Sequence, residues 1–157
     1  MTIAKLPRMT KQEIEELIDQ QILCRIAFKG REHPYIAPFQ YVTMNGVLYF
    51  HFTNYGKKMK MLEASNRACV EIESYSPDLS EFKFVVLTGE LQLVTNEEER
   101  SQAIEMLVKE GEKRLSRNFL VAHGLSKSED WSSLVKRKPL VIVKLAEIVE
   151  RIGLKSS

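Results

Sequence analysis

The stretch His51-Phe-Thr-Asn-Tyr-Gly-Lys-Lys58 gathers the residue types most able to do chemistry in this sequence. It begins in a strand-like apolar run, turns at Gly56, and enters a helix-forming segment that opens with two cations. Free backbone N–H groups at a helix start attract an anion, and Lys57 and Lys58 add charge where the helix dipole disfavours it. Thr53 can supply a hydroxyl donor. A bound phosphate accounts for all four features, whereas the alternative is an ordinary solvated basic turn. The three histidines, His33, His51 and His123, are too scattered in the chain to spell a compact zinc motif, and no metal is expected.

The elements that must position this turn are legible around it. Thr10-Lys-Gln-Glu13 has capping-box spacing, and Ile14, Leu17 and Ile18 repeat at helical intervals, which predicts a helix over 11–20. Residues 23–28, 35–43 and 47–53 are rich in β-branched and aromatic types and predict three strands. Asn45-Gly46 marks the second pair as a hairpin. A short helix is expected over 57–64, then strands over 68–73 and 82–94, the latter bending at Gly89. Thr95-Asn-Glu-Glu98 again has capping-box spacing and predicts a helix with a buried stripe of Ile104, Leu107 and Val108. Residues 110–137 are polar and irregular apart from a short helix expected around Trp131, which reads as a packing residue. A last strand is expected over 140–145, entered from Pro139.

Many short-linked strands with helices at the start, middle and end imply one domain over 1–157, a helix-decorated, closed or nearly closed β-barrel, mainly β with flanking helices (α+β). A chain of 157 residues has room for one such core, and no Pro-, Gly- or Ser-rich stretch divides it. Gly-x-Gly-x-x-Gly and P-loop patterns are absent, so a nucleotide-type ligand must be held by other means. With 23 basic against 21 acidic residues mixed along the chain, no overall field favours nucleic acid. The first residues lack the apolar core of a signal peptide and no run reaches membrane-spanning length, so a cytoplasmic location is expected. Cys24 and Cys69 lie in apolar runs and read as buried thiols.

Several of these segments together resemble a known family. Arg25-Ile-Ala-Phe, Pro34-Tyr-Ile-Ala-Pro-Phe-Gln-Tyr, Leu48-Tyr-Phe-His-Phe-Thr-Asn-Tyr-Gly-Lys-Lys, Leu62 and Asn66-Arg-Ala-Cys-Val are similar to the FMN-binding split-barrel superfamily. Within it they look most like the pyridoxamine 5'-phosphate oxidase-related branch that includes nitroimidazole-resistance proteins. The resemblance is strongest over 9–73, continues more weakly through Val85-Val-Leu-Thr-Gly-Glu, and is poor beyond about residue 110. It implies a Greek-key split barrel with flavin mononucleotide (FMN) at a homodimer interface, and ring contacts from the backbone of Pro38, Phe39, Gln40 and Tyr41. His51 would lie beside the ribityl chain or ring, Lys58 would take the phosphate, and Gly56, Lys57 and Thr53 would assist. Arg25 either reaches the cofactor or pairs with an acid. Pro38, Phe39 and Tyr41 read alternatively as strand and core residues, and His51 as a cross-strand polar residue.

The implied activity is that of an FMN-dependent oxidoreductase passing electrons from a reduced nicotinamide, NAD(P)H, to a small acceptor such as a nitroaromatic or quinone. Its alternatives are the same fold carrying a deazaflavin coenzyme or haem, and a non-catalytic flavin-binding module. Oxidation of vitamin B6 itself is not expected. Ala37 or Pro38 stands where the true oxidases place an arginine, and their carboxy-terminal Arg and His motif has no counterpart.

Overall fold

A computed structural model describes residues 1–137 and 140–157 of the chain. Helix α1 (Lys11–Gln20) is capped as its sequence dictates, with the Thr10 hydroxyl accepting from Glu13 N–H and the Glu13 carboxylate accepting from Thr10 N–H. Strand β1 (Leu23–Phe28) follows, then β2 (Tyr35–Gln40) and β3 (Val42–Met44). The single strand expected over 35–43 is therefore two, because the backbone bends at Tyr41, whose hydroxyl donates to the carbonyl of Ile18 at the end of α1. Asn45 and Gly46, both at positive φ, turn the chain into β4 (Val47–Phe52). Helix α2 (Lys57–Ala64), β5 (Arg67–Tyr75), β6 (Phe82–Leu93) and α3 (Glu97–Arg114) come next. Two 3₁₀ helices, Arg117–His123 and Trp131–Lys136, precede β7 (Val141–Lys155).

The seven strands form one antiparallel sheet in the order β2-β1-β5-β6-β7-β4-β3. Its two edges, β2 and β3, are separated in sequence by Tyr41 alone, so the sheet curls until its ends nearly meet. Pro38, which has no N–H to donate, sits on edge strand β2, where a missing ladder bond is tolerated. The register between β6 and β7 shifts at Thr88/Glu90, which places the expected bend at Gly89. β7 is far longer than the strand expected over 140–145, because its second half continues as a pairing partner for β6 out to Lys155. Pro139, expected to lead into it, lies outside the described residues.

Both faces of the curled sheet are covered near β4, which is why five consecutive residues from Leu48 to Phe52 are buried. Leu48, Phe50 and Phe52 point inward to a core shared with Phe28, Phe39, Val70, Leu87 and Leu17 of α1. Tyr49 faces outward into a second core with Leu107 of α3, Leu120, Trp131 and Leu134. The segment after α3, unreadable from its sequence pattern, is thus the outer cover of β3, β4 and β7. Among the described residues no helix is long and apolar enough to cross a membrane.

Candidate functional site

The turn after β4 has the backbone its sequence requires. Gly56, the residue before α2, has φ +95° and ψ −177°, a conformation L-residues avoid, and a side chain there would meet nothing within 4 Å. Among the described residues no side chain caps α2, its first turn carries no acid, and its first amides are left for an outside acceptor. Lys57 Nζ lies 4.8 Å from the centre of the Tyr35 ring and Lys58 Nζ 5.3 Å from that of Phe39. Neither lysine has an ion-pair partner among the described residues. Lys58 is half-buried, and the loss of water around its ammonium pulls its pKa down from the ordinary lysine value. A partly desolvated cation without a counter-charge, beside free helix amides, is an arrangement that an anion would stabilise. The Thr53 hydroxyl donates at 3.2 Å to the carbonyl of Tyr55 and so braces the loop, leaving its oxygen free only as an acceptor.

His51 is buried on the outward side of β4 and meets a residue 72 positions away, its Nδ1 lying 3.0 Å from Nδ1 of His123. His123 Nε2 is 2.7 Å from Gln40 Oε1, and Gln40 Nε2 donates at 3.0 Å to the carbonyl of Leu107 in α3. Two candidate residues, His51 and Gln40, are therefore joined through a third that the sequence gave no reason to choose. Burial lowers the pKa of both imidazoles from 6.5, His51 to about 3 and His123 to about 4, and the charge of Lys58 pushes in the same direction. His51 adds the repulsion of its neighbour His123. Beside this pair opens a cleft of about 100 Å³ whose rim is built by Thr53, Asn54, Tyr55, Gly124 and Arg137. Arg137 donates to the carbonyl of Gly124, tying the end of the first 3₁₀ helix to the end of the second. A wider cleft of about 460 Å³ lies on the other side of α2, lined by Arg31, His33, Lys57 and Lys60 among others.

The remaining sequence-chosen residues divide. Phe39 is an inward core residue, stacked on Phe52 at 4.9 Å, and also the ring beneath Lys58. Tyr41 is buried and serves the bend between β2 and β3; burial raises its pKa above the ordinary tyrosine value. Pro38 is exposed on the edge strand. Arg25 is occupied by acids, 2.7 Å from Glu73 and 3.5 Å from Glu71, in register with Pro38 across the β1–β2 ladder. Of its two expected roles the ion pair is the one seen in the structure. His123, Gly124 and Arg137 were missed because they come from the segment without helical or strand periodicity. Their only signal was a Gly after His123 and a Trp downstream, neither diagnostic of a site.

The profile of the family described as pyridoxamine 5'-phosphate oxidase matches residues 10–129. The chain belongs to that family. Solved structures of the same fold include an FAD-binding protein from Mesorhizobium loti, 18% identical with a TM-score of 0.72 over 97% of this chain and 99% of that one. A candidate 5-nitroimidazole antibiotic resistance protein from Bacteroides thetaiotaomicron is 18% identical, TM-score 0.65, over 98% and 91%. An FAD and heme binding protein from Mycobacterium smegmatis is 13% identical, TM-score 0.64, over 94% and 72%. No curated protein matches.

Proposed function

We propose that the chain is a flavoprotein that holds FMN, with the phosphate seated on the turn from Thr53 to Lys58. The observation that carries this reading is Lys58: a half-buried ammonium with no counter-charge among the described residues, set at the uncapped start of α2. The free amides after Gly56 would take phosphate oxygens, and Lys58 would add a charge-assisted hydrogen bond. Lys57, over Tyr35, would screen the same anion. Family membership and the flavin-binding proteins of the same fold support the choice of a flavin over other phosphorylated ligands. Once bound, a flavin supplies the redox chemistry, while the protein supplies position and electrostatics. His51, with Gln40 and the backbone of Pro38 to Tyr41, would line the ribityl chain or ring.

The activity in this reading is electron transfer from a reduced nicotinamide to a small acceptor such as a nitroaromatic or quinone, with a second copy of the chain completing the pocket. One curled sheet has too little surface to enclose a planar three-ring ligand, and a two-fold pair is the commonest way to extend it. The test is a visible spectrum of the purified protein, FMN titration if it is colourless, and chromatography of any released cofactor. A flavin spectrum with FMN released supports the proposal. FAD released changes the cofactor, a Soret band indicates haem, and no saturable flavin binding overturns the reading.

A further inference from the structure

The chain Gln40–His123–His51 has a direction that hydrogen-bond chemistry fixes. The Leu107 carbonyl can only accept, so the Gln40 atom 3.0 Å from it is the amide nitrogen. That orientation turns Gln40 Oε1, also only an acceptor, toward His123 Nε2 at 2.7 Å, and His123 must carry its hydrogen on Nε2. A neutral His123 then has a bare Nδ1, and the 3.0 Å contact with His51 Nδ1 is made only if His51 holds its hydrogen there. What remains is His51 Nε2, a lone pair with no partner among the described residues. It is not sealed away. Among the described residues the buried side-chain polar atoms without a partner are Arg100 Nε and Trp131 Nε1; His51 Nε2 is not one of them, and His51 lines the cleft.

We infer that His123, oriented by Gln40, is a positioning residue that fixes His51 as its Nδ1–H tautomer, so that Nε2 faces the cleft as an acceptor for a hydroxyl or N–H of the bound ligand. The cleft thereby selects a ligand that donates at this point. A ligand presenting only an acceptor there would leave two lone pairs facing each other. Burial and stacking hold the arrangement: the imidazole rings of His51 and His123 lie 5.2 Å apart at 28°, and Phe119 and Trp131 press on His123 edge-on. The identity of the donor, a ribityl hydroxyl of the flavin, rests on the function proposed above; the tautomer does not.

The decisive measurement is a long-range ¹H–¹⁵N NMR spectrum of the full ¹⁵N-labelled chain at neutral pH, without added flavin. It should show His51 protonated at Nδ1 and bare at Nε2, and His123 the reverse. A hydrogen on His51 Nε2 overturns the inference. FMN titration then reads the consequence. His123→Phe, which offers no acceptor to His51 Nδ1, should weaken FMN binding on the order of tenfold, while His123→Gln, whose carboxamide oxygen can accept, should largely restore it. Unchanged affinity in a folded His123→Phe variant overturns the role toward the ligand. If that variant does not fold, the wild-type spectrum alone decides. Wild-type protein that binds no flavin overturns the flavin reading only, because the tautomer is measured without it.

Discussion

At the scale of single residues the site is defined by what burial does to charge. Lys58 keeps an ammonium half out of water with no ion-pair partner among the described residues, and His51 and His123 stay neutral because their charged forms are desolvated beside it. This neutrality has a pH signature. The unfolded chain binds protons on these histidines as pH falls below about 6.5, whereas the native pair resists until about 3 to 4. Stability they contribute is therefore complete above the unfolded value and is lost on acidification, by at most about 1.4 kcal/mol per pH unit for each histidine. Glu71 works in the opposite sense. Burial and the neighbouring carboxylate of Glu73 push its pKa up to about 7, so the native state gains on acidification from one proton that the unfolded chain would release. Two protons outweigh one, and urea unfolding should show net stability falling from about pH 7 to about pH 5. A rise over that range, or NMR titration of both imidazoles near their ordinary value, contradicts the buried neutral pair.

At the scale of elements, α3 and the segment after it decide whether β4 can present His51 at all. The ring of Trp131 lies flat against the backbone of α3 at Gly111, where an added methyl would come within 2.4 Å of it. Gly111→Ala should therefore destabilise the protein by about 1–3 kcal/mol despite alanine's better helix propensity, measured as a lower urea midpoint. A neutral or stabilising outcome would mean that the cover on β4 is loosely packed. This cover is also where sequence reading stopped. Helix α1, the Asn45-Gly46 hairpin and α2 were legible because caps, turns and periodic apolar residues are local signals. The cap of α3 was misplaced by one residue: Asn96, not Thr95, accepts from the amide three residues on. Both side chains can cap, and the local pattern does not choose between them. The 3₁₀ helix Trp131–Lys136 is the short helix expected around Trp131, whereas Arg117–His123 left no periodic trace, since its turns are too short to repeat. His123 could be seen as part of the site only after the fold closed the 72-residue gap to His51. On the site side, the Gly56–Lys58 turn was legible because helix starts are chemically special wherever they occur, whereas the occupation of Arg25 by Glu71 and Glu73 depends on which strand lies beside β1.

At the scale of the molecule, a sheet whose edges β2 and β3 almost meet leaves one barrel with exposed apolar groups on its outside, among them Ile36 on the edge strand, Tyr55 beside the cationic turn and Val149 on β7. A partner copy would cover such groups while building the far wall of the flavin pocket. Sedimentation should accordingly give a species of twice 18.1 kDa at micromolar concentration, and a single 18.1 kDa species would remove the dimer from the account. The central claim is narrower than the dimer or the reaction: a flavin phosphate sits on Lys58. Titrating wild type and Lys58→Ala with FMN and with riboflavin, which lacks the phosphate, isolates it. The account predicts that wild type prefers FMN, and that Lys58→Ala loses about 1.5–3 kcal/mol toward FMN and little toward riboflavin. Equal affinity of the two proteins for FMN would place the phosphate elsewhere and reduce the Gly56–Lys58 turn to a basic surface loop.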